Sequence, residues 1–400
     1  MKVAFLTNII SPYRSPVFQS LAKTEGWDLR VYVNSQTEFD RNWSGDCEGV
    51  DVVASKSWAR KITHVVEETD AQGKPCRIEQ VTTRYVPVGL LGDLCRFRPD
   101  VVITHEIGPR SFLASLWARM FRRPLVLWSY QARTSADRRD GFVRRKVRSF
   151  VFRKAGAVLG MGVQARDVLR KTGCPEDKIL DAPNATDERM ILSRAAAARQ
   201  NGTVARIRSE VGEGKKTALV VGRLLQLKGV GEVLDAWSAL PDTVRDEWRL
   251  VFLGDGPMRD RVESLSDRGI VHVPEVPMDE VANYMAAADA HLFFSFVDVW
   301  GLTVNEAMLC GLPTMCSILA GCAEDTVQDG VNGLLFDPRD RDETRAKLLD
   351  FLTREDLDQL GERAFADGQQ FTCERLADGF RRAVDLARRN KQPRLAPQGG

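Results

Sequence analysis

One pattern recurs along almost the whole chain: a short β-rich apolar run, a glycine or polar turn, then an amphipathic stretch. In the first half the apolar runs fall at 3–6, 29–33, 101–104, 125–129 and 157–160. In the second half they fall at 217–221, 249–253, 270–273, 290–294 and 313–317. Helical stretches alternate with them at 17–23, 111–121, 163–171, 229–240, 258–266, 278–288 and 303–310. Strands that are apolar on both faces and separated by helices predict an α/β fold with parallel sheets covered on both sides. Ten strands are many for one sheet, and 400 residues exceed what a single core usually takes. The stretch 190–216 contributes no β run and is rich in Ala, Arg and charge, so the seam is expected there. The expected organisation is two Rossmann-like domains facing each other across a cleft, at 1–190 and 191–370. A closing segment, 371–400, carries an amphipathic helix over 374–389 and then a loose tail. In such sheets ligands bind beyond the carboxyl ends of the strands, so the loops after each run are where chemistry is sought.

Composition narrows the class. Apolar residues at 44% and charged residues at 28% exclude a disordered or fibrous chain. No apolar run approaches the ~20 residues of a membrane span. The opening Met1 to Leu6 is apolar, but Thr7, Asn8 and Pro12 break it, which suits a first buried strand better than a leader. Eight cysteines without a C-x-x-C pair suggest neither a disulfide framework nor a zinc site, and a cytoplasmic setting is expected. The segment 40–80, with Trp43 and Trp58, receives no assignment.

The net charge of +2 hides an asymmetry: residues 1–190 carry +9 and residues 191–400 carry −7. Most of the excess lies in 119–154, with twelve basic and two acidic side chains. Phe142, Val143, Val147, Phe150 and Val151 recur there at helical spacing between Arg144, Arg145, Lys146, Arg148, Arg153 and Lys154. One reading is a solvated helix packed on its own domain. The other is a face that also rests on an anionic membrane surface or attracts a phosphorylated acceptor. Nucleic acid is not expected, because no recognition motif accompanies the patch.

The most informative segment runs from Phe294 to Pro313. A strand ends near Ser295, a loop carries Asp298, and a helix starts at Gly301-Leu302 with Glu306 in its first turns. The free N–H groups of Gly301, Leu302 and Thr303 would form an anion site with a carboxylate on either side. That suits a phosphate whose two flanking groups carry hydroxyls, as in a nucleotide sugar. The competing reading makes Asp298 a helix-entry residue and Glu306 a surface carboxylate. Upstream, Val220-Val221-Gly222-Arg223-Leu224 leads to Lys228-Gly229, placing two cations ahead of a helix where they suit a diphosphate. Phe252-Leu253-Gly254-Asp255-Gly256-Pro257 is a strand-to-helix turn whose glycines allow close backbone approach. Further turns follow at Ala320-Gly321-Cys322-Ala323-Glu324 and from Asp329 to Asp337.

These segments, in this order and spacing, resemble the retaining GT-B glycosyltransferases of family GT4. That family carries V-G-R-L…K-G, G-D-G-P, E-x7-E within G-L…E-A-M-x-C-G-x-P, G-G-x-x-E and D-G-x-N-G-L-L. The first half resembles it more loosely, through Asn8 to Arg14 after the first strand and Ile179 to Asp187 in place of P-N-G-V-D. The resemblance implies that Arg223 and Lys228 hold the donor diphosphate and that Glu306 bonds the donor ribose. It implies that Asp298, where the family has glutamate, touches hydroxyls of the transferred sugar. Gly301 and Leu302 match the helix start that faces the diphosphate, Arg14 the loop beside it, and His105 a histidine near the sugar. His64, His272 and His291 are expected to be structural. The implied reaction moves a sugar from a nucleotide diphosphate sugar to an acceptor hydroxyl, lipid-linked acceptors included, with no cofactor and no metal. A role in bacterial surface polysaccharide or glycolipid synthesis goes with it. Two alternatives stand beside this: a catalytically inactive nucleotide-sugar-binding protein, which the aspartate at 298 motivates, and a GT-B sugar-nucleotide epimerase.

Overall fold

The computed structural model describes residues 1–35, 47–69, 75–131, 133, 141–212 and 214–391, and at 61–84 and 144 the backbone alone. Trp43, the side chains of His64 and Arg144, and the tail beyond Lys391 therefore lie outside the described residues. The first compact unit comprises Met1–His64, Gln80–Ala185 and the helix Cys373–Arg389; the second comprises Val65–Glu79 and Thr186–Thr372.

The strands up to Ala185 are β1 (Lys2–Thr7), β2 (Asp28–Val33), β3 (Asp51–Ala54), β4 (Trp58–Thr69), β5 (Pro75–Val86), β6 (Val101–His105), β7 (Leu125–Ser129), β8 (Ala157–Gly160) and β9 (Ile179–Asp181); all belong to the first unit except the stretch Val65–Glu79 of β4 and β5. Seven of them form a parallel sheet in the order β3-β2-β1-β6-β7-β8-β9, while β4 and β5 pair with each other. Strands β6, β7 and β8 are buried at every residue, which is why each reads as an uninterrupted apolar run.

The closing helix does not stand apart. Phe380 lies 5.1 Å from the rings of both Phe5 and Trp128, and its burial contributes about 1.5–3 kcal/mol. Two glycines let the helix approach. A Cβ on Gly379 would come within 2.7 Å of Ala182 Cβ, and one on Gly156 within 2.8 Å of Ala387 Cα. Arg381 adds bonds to Ser20 and Thr24.

The second unit carries β10 (Lys216–Val221), β11 (Trp248–Leu253), β12 (Ile270–Val273), β13 (Ala290–Phe293), β14 (Thr314–Ser317) and β15 (Gly333–Phe336), parallel in the order β12-β11-β10-β13-β14-β15. Apolar clusters cover both faces, one with Trp237, Trp248 and Phe351, the other with Ile191, Met285 and Leu309. The stretch expected to be the seam is helical: Asp187 caps the helix Glu188–Gln200 by accepting from Met190 N–H. Its Ile191 and Ala195 belong to the second core, so the division falls after Ala185.

Both sheets reverse direction once. In the first, the chain steps outward from β1 to β2 and β3, then returns to place β6 on the other flank of β1. In the second, β11 and β12 lie on one flank of β10 and β13 on the other. At such a switch point the loops leaving adjacent strands diverge and leave a crevice at their carboxyl ends. Among the described residues no helix is long and apolar enough to cross a membrane.

Candidate active site

The second switch point lies between the carboxyl ends of β10 and β13, and the loops leaving those two strands carry most of the expected residues. After Val221 the chain passes through Gly222, Arg223 and Leu224 into a 3-10 turn, Gln226–Lys228. This turn is tied to the loop after β13: Phe296 N–H donates to Leu227 O at 2.9 Å, and Ser295 Oγ donates to the same oxygen at 3.3 Å. The result is a bond between two side chains seventy residues apart, Lys228 Nζ to Asp298 Oδ2 at 2.5 Å. Arg223 lines the same small cavity as Lys228 and Gly222. Behind the turn, Gln226 Nε2 donates to both oxygens of Glu232, at 3.0 and 3.3 Å. Burial pushes the Glu232 carboxyl up to about 7.

Asp298 is held on both sides. Its Oδ1 accepts from Trp300 N–H at 3.1 Å, and its carbonyl accepts from Gly321 N–H at 3.0 Å. The Lys228 and Asp298 side chains remain 29% and 18% exposed. The pair is only partly buried, so Lys228 Nζ remains open to a second anion.

Gly301 then opens the helix Leu302–Leu309 at φ +102°, where a Cβ would sit 2.8 Å from the Phe293 ring. The position admits only glycine without displacement of that ring. The first amides of this helix have no intrahelical partner, as at any helix start, and the Thr303 hydroxyl is buried without a partner among the described residues. Partial positive charge therefore collects one loop away from Lys228. Glu306 lies one turn further along, about 6 Å up the axis from Leu302. It is buried, and its Oε1 accepts from Thr186 Oγ at 3.0 Å. Burial raises its carboxyl above the ordinary range, and the Thr186 bond works against that rise.

Gly222 and Gly254 serve differently from amide donors. Their N–H groups are bonded to Leu253 O and Val273 O. A Cβ on Gly254, at φ +140°, would fall 2.2 Å from Gly222 O, so the two strand-ending turns can touch only without it. Gly256 allows a similar approach to Leu224 O. His272 bonds Glu263 and Gly254 O, and His291 is fully buried beside Thr314; both are structural, as expected.

Arg14 and His105 come together in the first unit. The Arg14 guanidinium lies 4.9 Å from the Trp128 ring and 5.3 Å from that of Tyr130, and the His105 ring stacks on the same two side chains. The basic helix Phe142–Lys154 departs from its expected stripe. Val151 is buried, but Phe142 and Val143 are 67% and 73% exposed, because they lie at the helix start, away from the Phe112–Phe150 contact. Sequence reasoning passed over Thr186, Gln226 and Glu232, whose partners are set only by folding.

Two parallel-sheet Rossmann-like units, each with its switch-point loops, define the GT-B class of fold. Residues 203–366 match the family described as Glycosyl transferases group 1, and residues 19–185 match the Glycosyl transferase 4-like domain. The chain belongs to the group 1, GT4-like glycosyltransferase family. Among curated relatives it is 26% identical over 295 residues to sulfoquinovosyl transferase SQD2 of Arabidopsis thaliana, covering 70% of this chain and 56% of that protein. It is 30% identical over 164 residues to O-antigen chain mannosyltransferase B of Escherichia coli, covering 39% and 42%. The matched stretches thus span about half the length of these relatives. The crystal structure of Anabaena Alr3699/HepE in complex with UDP and glucose has the same fold. It aligns at a TM-score of 0.68 and 17% identity over 96% of this chain and 99% of that one.

Proposed function

We propose that this protein transfers a sugar from a nucleoside diphosphate carrier to an acceptor hydroxyl with retention of anomeric configuration. The observation that carries the reading is the junction of Lys228 and Asp298 beside the open start of the helix Leu302–Leu309. A diphosphate takes Lys228, Arg223 and the helix-start amides, while Asp298 turns to the sugar hydroxyls and Glu306 to the ribose. In the transfer the acceptor oxygen bonds to the anomeric carbon as the bond from that carbon to the phosphate oxygen breaks. The acceptor proton passes to the departing phosphate oxygen. Positive charge from Arg223, Lys228 and the helix start stabilises the charge that develops there, and no metal ion is required.

One relative is named as an O-antigen chain mannosyltransferase and another as a sulfoquinovosyl transferase, which supports a saccharide acceptor, lipid-linked in a bacterial surface pathway. The exposed Phe142 and Val143 beside Arg145 and Lys146 support contact with an anionic membrane surface, as amphipathic basic helices make; vesicle flotation tests this part.

The transfer itself is tested by a thermal-shift screen of nucleotide sugars, beginning with UDP-sugars because Alr3699/HepE was solved with UDP. The donor that stabilises most is then incubated with polysaccharide or lipid acceptors. The expected result is a glycoside of the donor's own anomeric configuration, with release of free nucleoside diphosphate unaffected by EDTA. Stabilisation without turnover favours an inactive binder, and a changed sugar on the intact nucleotide favours an epimerase. An inverted product contradicts retention.

A further inference from the structure

The proposed transfer gives no role to one buried carboxyl near the diphosphate turn, that of Glu232. It stands in the first turn of the helix Val230–Ser238 and is 7% exposed. Both of its oxygens accept from Gln226 Nε2, at 3.0 and 3.3 Å. Gln226 opens the 3-10 turn Gln226–Lys228, so the amide that Glu232 holds and the ammonium that meets Asp298 share one turn. The backbone ties them together: Lys228 N–H donates to Leu225 O at 3.0 Å, and Gly229 N–H to Gln226 O at 2.9 Å. Gly231 makes room for the amide, since a Cβ there would lie 3.1 Å from Gln226 Oε1 and 3.2 Å from its Nε2.

Charge around Glu232 is divided. Asp235 lies on the same helix and accepts from Arg261, while Arg341 and Arg345 come from the start of the helix Arg341–Thr353. Arg341 lines a small cavity with Glu232, and its Nη2 is buried without a partner among the described residues. Burial is the largest influence on the Glu232 carboxyl and pushes it up. A bond from its own backbone N–H pulls it down, Asp235 raises it, and Arg261 and Arg341 lower it, leaving it at about 7. A carboxylate accepts roughly twice as strongly as a neutral acid, so a proton on Glu232 loosens its hold on Gln226.

We propose that Glu232 is a positioning residue for the donor: its carboxylate, acting through the Gln226 amide, fixes the turn that aims Lys228 at the diphosphate, and the grip on the donor weakens when Glu232 takes a proton. The donor part rests on the proposed diphosphate site at Lys228; the hold of Glu232 on the turn does not.

The test titrates UDP calorimetrically into the full chain from about pH 6 to about pH 8.5, as wild type, Glu232→Gln, Gln226→Met and Lys228→Ala. UDP ionises in this range too, but identically against every form, so the ratio of wild-type to variant affinity isolates the protein. Against Glu232→Gln the ratio should be near one at the acid end and at least fivefold at the alkaline end, with its midpoint near 7. Gln226→Met keeps the carboxylate but removes the amide, and should bind at high pH as weakly as Glu232→Gln. Melting separates positioning from packing. Folding raises the Glu232 carboxyl, so its charge costs stability as pH rises from the ordinary carboxyl range through about 7. At the alkaline end Glu232→Gln should therefore melt at or above wild type while binding UDP more weakly. A ratio flat across pH, or wild-type affinity in Gln226→Met, overturns the proposal. Weaker binding accompanied by a lower melting midpoint marks Glu232 as a packing residue and overturns it equally. If Lys228→Ala binds UDP as wild type does, or UDP binds no form, the diphosphate reading itself falls. Amide exchange at Lys228 and Gly229 without ligand then decides the hold on the turn: at least threefold faster exchange in Glu232→Gln at the alkaline end is expected, and equal rates overturn it.

Discussion

Asp298 is where one methylene carries the most consequence. Its short side chain spans from Lys228 Nζ to Trp300 N–H, two bonds that together set the loop ahead of the helix Leu302–Leu309. A glutamate there cannot close the same two-residue turn, and its carboxylate would stand further out, towards a sugar. Asp298→Glu is therefore expected to change the relative rates with different donor sugars by about tenfold, roughly 1.4 kcal/mol in barrier difference. Steady-state kinetics on matched donors checks this, and unchanged rates for every sugar would remove the side chain from contact. Single residues at chain turns were readable from the sequence where backbone geometry limits the choice, as at Gly301 and Gly254. Glu306 was readable as a carboxylate on the right helix. Its bond to Thr186, 120 residues away, was not, because pairing across that distance is a product of the fold.

At the scale of elements, buried parallel strands announce themselves because both faces must be apolar, and all ten expected runs correspond to strands. The strands that escaped are of another kind. β3 is a partly exposed edge, β9 has three residues, β15 sits inside a glycine-rich turn that reads as loop, and β4 and β5 begin in the polar segment 40–80 that received no assignment. The helix Phe142–Lys154 differs in another way: helical spacing identified the element, but Phe142 and Val143 at its start do not join the packed stripe. Phe142 and Val143 face solvent with Lys146 Nζ 5.3 Å over the Phe142 ring. Apolar tips amid cations suit a surface that is apolar inside and anionic outside. The chain is expected to float with vesicles containing anionic lipid, to lose this at high salt, and to lose most of it in an Arg145→Glu/Lys146→Glu variant. Equal flotation by the variant would contradict the membrane reading.

The whole molecule repeats one device. Each unit is a parallel sheet whose chain reverses direction once, and each reversal gathers cations at the strand ends, with polar atoms that have no partner among the described residues. Two Rossmann-like domains could be read from strand–helix alternation, and the GT-B class from the motifs that resemble the family. The boundary could not, since the helix Glu188–Gln200 belongs to the second core and the helix Cys373–Arg389 to the first, across nearly two hundred intervening residues. The account depends above all on the second unit gripping a diphosphate through Lys228 and Arg223. Calorimetric titration of UDP into wild type, Lys228→Ala and Arg223→Ala tests that directly, with thermal melting as the control for folding. The account predicts that each substitution weakens UDP at least tenfold and lowers turnover by orders of magnitude while the melting midpoint hardly moves. Wild-type affinity in both folded variants would contradict it.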